Sequence, residues 1–224
     1  MYSLLSILII IPLIPIIIWS ATGAITTAII IALGISFWKG RKQIYMSVLG
    51  MQSAGKTTWY DYLRGENRAS EGATSGGVEI SEFTITYKDN KDTRELTIAK
   101  GLDIDGTEDS IREFYKAQIE KSDVVFFFFD INKYLEIEEY QRVVNSRLDF
   151  IYDLIKENDK NLDDVYLIAT HLRKVEDAKK ALKKVRNILS EKRYKVFTKQ
   201  LSGIEMQNKE EMEKLKIKLI ENTK

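Results

Sequence analysis

Between Ser47 and Leu63 the chain reads SVLGMQSAGKTTWYDYL, and Gly50–Thr57 matches the pattern G-x-x-x-x-G-K-[ST]. Few short patterns restrict a fold as tightly, because this one needs a strand ending at its first glycine and a helix opening at its lysine. The preceding QIYMSVL is a short, mostly apolar run ended by glycine, as a buried strand would be. The following TTWYDYLRG reads as a helix that stops near Gly65. In that frame Gly50 and Gly55 let the backbone wrap around an anion. The backbone of Gly50, Met51, Gln52, Ser53, Ala54, Gly55, Lys56, Thr57 and Thr58 is then expected to cradle phosphate, aided by the positive end of the helix. Lys56 would neutralise the β- and γ-phosphates, and the Thr57 hydroxyl would ligate Mg²⁺.

The rest of the chain fits around this unit. VEISEFTITY (78–87) alternates as a strand should, KDNKD reads as a hairpin turn, and ELTIAKGL (95–102) is the antiparallel partner. A helix is expected over 109–122, a fully buried strand DVVFFFFDI over 123–131, and a long helix over about 137–157. A strand VYLIAT (165–170), a helix over 175–190, a short strand KVFT (195–198) and a closing helix from Asn208 follow. Alternating strands and helices imply a mostly parallel sheet with helices on both faces and one antiparallel strand.

Charge is unevenly placed. Residues 4–38 form a run of 35 residues with no charged side chain, whereas the net charge of the whole chain is +1. A single helix of that length would reach about 52 Å, against a hydrocarbon core of about 30 Å. The run is therefore expected to be an N-terminal transmembrane helical hairpin turning at 19–23, its first helix open to a kink at Pro12 and Pro15, with a single span or a re-entrant loop as the alternatives. Small residues at Ala24, Ala28 and Ala32 would allow close helix packing and leave pairing of two copies open. The organisation expected is a membrane segment over 1–38, a basic linker over 39–43 and a nucleotide-binding domain over 44–224. The basic linker places that domain on the cytoplasmic side of a two-span membrane protein. There is no cysteine and only one histidine, His171, so disulfides, thiolate chemistry and a histidine-cluster metal site are excluded. The near-neutral balance gives no reason to expect a nucleic-acid partner.

Across residues 44–224 the order of elements and motifs resembles the Ras-like GTPases of the translation-factor-related class. LDIDGTE (102–108) is similar to their D-x-x-G segment. GATSGGVEI (72–80) is similar to the first switch of Arf-like proteins and of the signal-recognition-particle receptor β subunit. The resemblance implies GTP and GDP as ligands with Mg²⁺. It also implies that Asp103 reaches the metal through water, that Thr74 completes the metal shell and that the Gly106 amide senses the γ-phosphate. By the same resemblance Thr170 stands in place of an asparagine, His171 lies over the base, and the turn at Ser202 and Gly203 meets the guanine carbonyl oxygen.

Two positions depart from the pattern. Arg173 stands where these GTPases place the aspartate that accepts two hydrogen bonds from guanine, and a guanidinium has donors only. Glu176 or Asp177 could substitute from the next turn, although the spacing differs. Thr107 occupies the position of a water-orienting glutamine, so unassisted hydrolysis should be slow. Lys56, Thr74, Gly106 and Thr107 are the residues expected to act on the phosphoryl group. The expected function is a membrane-anchored GTPase switch read by a protein effector. The alternative is a membrane-tethered adaptor that keeps a nucleotide for structure. A small-molecule P-loop kinase lacks an obvious lid of paired arginines. Between Arg173 and Lys195 ten basic residues face three acidic ones, which fits either a solvated helix face or contact with anionic lipid.

Overall fold

In a computed structural model the described residues are 41–65, 78–88, 93–103 and 111–222. One compact unit runs from Gln43 to Lys224. The strands among the described residues are β1 (Arg41–Ile44), β2 (Met46–Gly50), β3 (Val78–Ile80), β4 (Phe83–Lys88), β5 (Thr93–Ile98), β6 (Gly101–Asp103), β7 (Val124–Asp130), β8 (Val165–Thr170) and β9 (Leu201–Gly203). The α-helices are α1 (Lys56–Arg64), α2 (Ile111–Lys121), α3 (Ile131–Glu136), α4 (Glu138–Glu157), α5 (Ala178–Ser190) and α6 (Lys209–Asn222).

Strands β2, β7 and β8 are buried at every residue, so they carry apolar side chains on both faces rather than alternating. They form a parallel sheet in the order β2-β7-β8-β9. The antiparallel arm keeps one register across its break: Phe83 faces Ile98 in β4–β5, and Ile80 faces Gly101 in β3–β6. Each strand of the arm is interrupted by two residues and then resumes. Strand β1 flanks β5 of the arm, and just past β5 the Ala99 amide donates to the Ile44 carbonyl at 2.8 Å, two residues before β2 begins.

Four consecutive phenylalanines, Phe126 to Phe129, are fully buried in β7. Each such side chain contributes roughly 1.5–3 kcal/mol when removed from water. Phe126 packs between Trp59 of α1 and Tyr166 of β8, with ring centroids at 5.7 and 5.1 Å. Helix α6 covers the same face through Lys218 over the Tyr166 ring and a Tyr62–Glu213 hydrogen bond. On α4, Val144, Leu148, Ile151, Leu154 and Ile155 form the buried stripe. Helix α2 packs against α4, with Arg112 lying 6.0 Å from the Phe150 ring.

Several expectations are corrected. Among the described residues no helix is long and apolar enough to cross a membrane. The longest, α4 with 20 residues, carries charges from end to end. The transmembrane hairpin expected over residues 4–38 lies outside the described residues, and the fold found among the described residues is the α/β domain, with no spanning helix. The two-span membrane localisation goes with it. The segment KVFT is a 3₁₀ turn over Lys195–Gln200, not a strand. Its amides bond locally, Phe197 to the Tyr194 carbonyl at 3.0 Å, and the sheet edge is taken instead by Leu201–Gly203. Helix α3 was not expected; Asp130 at the end of β7 initiates it by accepting the Asn132 and Lys133 amides.

Candidate functional site: a phosphate loop gripped by two helices

The loop between β2 and α1 is built on two left-handed glycines, Gly50 with φ 132° and Gly55 with φ 91°. A Cβ at Gly50 would lie 2.1 Å from the Phe128 carbonyl oxygen, so no other residue fits. That carbonyl also accepts the Met51 amide at 2.9 Å, which pins the loop to β7. Gly55 opens α1 without a side-chain cap, and no acidic residue stands in the first turn. The amides of Gln52, Ser53 and Gly55 have no partner among the described residues. Those of Met51 and Ala54 are used within the chain, the latter on the Met51 carbonyl at 3.3 Å. Lys56 is buried, with Nζ 3.1 Å from the Met51 carbonyl, so its ammonium lies inside the turn. Unpartnered amides, an uncapped helix start and a buried ammonium suit a phosphate chain.

Side chains from two helices hold the first glycine of the loop. The Gly50 amide donates to the Tyr115 hydroxyl of α2 at 3.1 Å, and Arg147 Nη1 of α4 donates to the Gly50 carbonyl at 3.3 Å. Both side chains are buried, and the Arg147 guanidinium acts electrostatically on the Tyr115 phenol. Burial pushes the Tyr115 phenol up, against the opposing pull of Arg147. Arg147 Nε is buried without a partner among the described residues.

The other wall is the end of β8. His171 has φ 62°, and its Nε2 lies 3.0 Å from the Ser53 carbonyl of the loop. A carbonyl only accepts, so Nε2 carries the proton. Asn132 Nδ2 donates to the His171 carbonyl at 3.1 Å, and Asp130 Oδ2 is 3.9 Å from Nε2. Thr170 is buried and donates its hydroxyl to the Phe129 carbonyl at 3.1 Å, which ties β8 to β7. Beyond β9, the Ile204 amide reaches the Ala169 carbonyl at 2.8 Å, so the turn after Ser202 and Gly203 is fixed beside His171's strand. Met206 from that turn packs against Gly55.

The structure thus brings His171 against the Gly50–Thr58 loop at Ser53, with Thr170 preceding it in β8 and Ser202 and Gly203 paired to Ile168 and Ala169 of that strand. Asp103 ends β6 opposite Val78, and its side chain is not among those described. Thr74, Gly106 and Thr107 lie outside the described residues. Asp177 caps α5, its Oδ1 accepting the Lys180 amide at 3.0 Å. The sequence reading missed Tyr115, Arg147, Asp130, Asn132 and Glu205. Only Arg147 left a signal: it falls three residues after Val144 and one before Leu148, on the apolar stripe of α4.

No protein-family model matches the chain, and no curated protein matches it. Solved structures do. A bacterial selenocysteine-specific elongation factor EF-Sec aligns with TM-score 0.54 and 18% identity over 82% of this chain and 29% of its own. Elongation factor SelB of Methanococcus maripaludis, in complex with the GTP analogue GPPNHP, aligns with TM-score 0.51 and 15% identity over 80% and 33%. Era, in complex with MgGDPNP and nucleotides 1506–1542 of 16S ribosomal RNA, aligns with TM-score 0.53 and 17% identity over 81% and 57%. The chain therefore spans between about a third and just over half of the length of these proteins. They show its fold to be that of the P-loop GTPases, an α/β domain with a mostly parallel sheet.

Proposed function

We propose that the domain is a guanine-nucleotide switch, which binds GTP and GDP with Mg²⁺ and hydrolyses GTP slowly to GDP and phosphate. The observation that carries this reading is the loop itself: unpartnered amides at Gln52, Ser53 and Gly55 around the buried Lys56 ammonium. The fold shared with EF-Sec, SelB and Era supports it, two of them solved with GTP analogues. Thr57 at the first turn of α1 and Asp103 at the end of β6 are the residues of this chain that would hold the metal, with Thr74. When bound, Mg²⁺ neutralises charge on the phosphates. The chain's own part is to orient them: Lys56 and the loop amides from one side, the α1 terminus from below.

Tyr115 and Arg147 give the switch its reach. Helix α2 follows directly on the 102–108 segment, and its Tyr115 holds the same glycine that opens the phosphate loop. An effector that touches α2 would therefore read a helix bonded to the loop. Thr107 in place of glutamine predicts a rate on the order of 10⁻³ per second or below without a partner.

The test is equilibrium binding of labelled GTP to the full-length chain, with Mg²⁺ and with a chelator. Wild type should bind in a Mg²⁺-dependent manner and Lys56→Ala about 100-fold more weakly. Equal binding by the folded variant would contradict the proposed site.

A further inference from the structure

Guanine presents two donors, N1–H and the N2 amino group, on one edge, and reading them takes two acceptors held side by side. Arg173 offers none. Its Nη1 is occupied with the Gln207 Oε1 at 2.7 Å, and its backbone amide donates to Glu205 Oε2 at 3.1 Å. A carboxylate from the turn after β9 thus sits against the residue whose own side chain would have faced the base.

Glu205 is held there from several sides. Ile204 is pinned to Ala169 at 2.8 Å, the Glu205 amide donates to Glu211 Oε2 at 2.6 Å, and the Glu205 carbonyl accepts the Asn208 amide at 2.8 Å. Its second oxygen, Oε1, has no partner among the described residues. Three of the neighbouring carboxylates hold nitrogens of the chain, while Glu176 is exposed, beyond the 3₁₀ turn at Leu172–Lys174 in sequence. Asp130 caps α3, Asp177 caps α5, and Glu211 holds the Glu205 and Asn208 nitrogens. The segment 171–173 starts at the phosphate loop, through His171 on Ser53, and ends at the Glu205 carboxylate. A nucleotide with its phosphates in the loop and its base along that segment would present the base edge to Glu205.

We propose that Glu205 is the residue that reads the guanine edge, supplying from the β9 turn the carboxylate missing at Arg173. This rests on the guanine-nucleotide reading above. A carboxylate there accepts N1–H and N2–H together, one on Oε1 and the other on the second lone pair of Oε2, whose first takes the Arg173 amide. It faces the lone pair of adenine N1 and so rejects adenine. The isosteric Glu205→Gln change replaces one acceptor by a donor, and the amide then complements xanthine, which has N1–H and a carbonyl at C2. Because the amide oxygen can still accept the Arg173 amide, the turn should keep its shape.

The experiment compares GTP and xanthosine triphosphate binding to full-length wild type, Glu205→Gln and Glu205→Asp. Wild type should prefer GTP. Glu205→Gln should lose about 100-fold in GTP affinity and prefer the xanthine nucleotide, a reversal that a merely structural role of Glu205 would not produce. Glu205→Asp keeps both acceptors on a shorter arm, so it should retain preference for GTP at reduced affinity. It also serves as the folded comparison if the glutamine variant is unstable. GTP preference unchanged in Glu205→Gln would overturn the role of Glu205 while leaving the nucleotide switch in place. Wild type that binds no guanine nucleotide would overturn both.

Discussion

The imidazole of His171 bonds the carbonyl of Ser53 at 3.0 Å, and both residues are left-handed, with φ 62° and 57°. Among the described residues only one other non-glycine, Asp159, has a positive φ. Two of the three thus stand at opposite ends of one hydrogen bond across the site. Such backbone costs about 1–3 kcal/mol per residue and persists where its surroundings over-determine it. Here the surroundings are Asn132 on the His171 carbonyl and the loop glycines on either side of Ser53. The bond joins the glycine-flanked loop to segment 171–173, so the two are set relative to each other by the chain's own contacts.

Removing that bond should loosen nucleotide without unfolding the chain. His171→Ala is expected to weaken GTP binding about tenfold, in line with a hydrogen bond of about 1–1.5 kcal/mol. Fluorescent-nucleotide titration checks it. Affinity equal to wild type would mean that the loop keeps its shape without His171.

Gly50 is expected to tolerate no substitution. In Gly50→Ala the new Cβ meets the Phe128 carbonyl at 2.1 Å in a backbone conformation that alanine rarely adopts. The combined strain and displacement should cost about 2–5 kcal/mol in chemical denaturation. A loss below about 1 kcal/mol would show that β7 can move away from the loop.

The clamp from α2 and α4 predicts a stability cost in a conservative variant. Tyr115→Phe leaves the buried Gly50 amide without its acceptor. The expected loss is about 1–3 kcal/mol. Arg147→Met should instead weaken nucleotide binding more than it lowers stability, because it frees the Gly50 carbonyl while removing a poorly compensated buried cation. Denaturation and nucleotide titration on the same samples separate the two.

Burial raises the phenols of Tyr115, Tyr134 and Tyr140, that of Tyr134 to about 12. Above about pH 10 the unfolded chain loses these protons while the folded chain keeps them. The unfolded state then binds fewer protons, so stability is full below about pH 10 and is lost as the pH rises through the folded values. Denaturant midpoints should be level from about pH 7 to 9 and fall beyond 10, less steeply in Tyr134→Phe. A midpoint unchanged through about pH 11 would contradict the burial of these hydroxyls.

Elements with strong local patterns were readable in the sequence. Strand β8 falls at 165–170 as expected, β7 shows as an unbroken apolar run, and the loop at Gly50–Thr57 stands between a strand and a helix. What local pattern does not encode was missed. Helix α3 depends on one capping carboxylate, and the KVFT segment reads as a strand because alternation over four residues resembles a turn with one buried phenylalanine. The site contacts of Tyr115, Arg147 and Glu205 join residues 65, 97 and 32 positions apart, beyond any periodicity. The apolar run over residues 4–38 suggested a membrane hairpin, but no described helix supports a span.

The most direct test of the account is competition for labelled GTP on the full-length chain by unlabelled GTP, GDP and ATP, with Lys56→Ala as the control. The account predicts displacement by GTP and GDP at similar concentrations, no displacement by ATP at about a hundredfold excess, and little binding to the control. Displacement by ATP as readily as by GTP would contradict it.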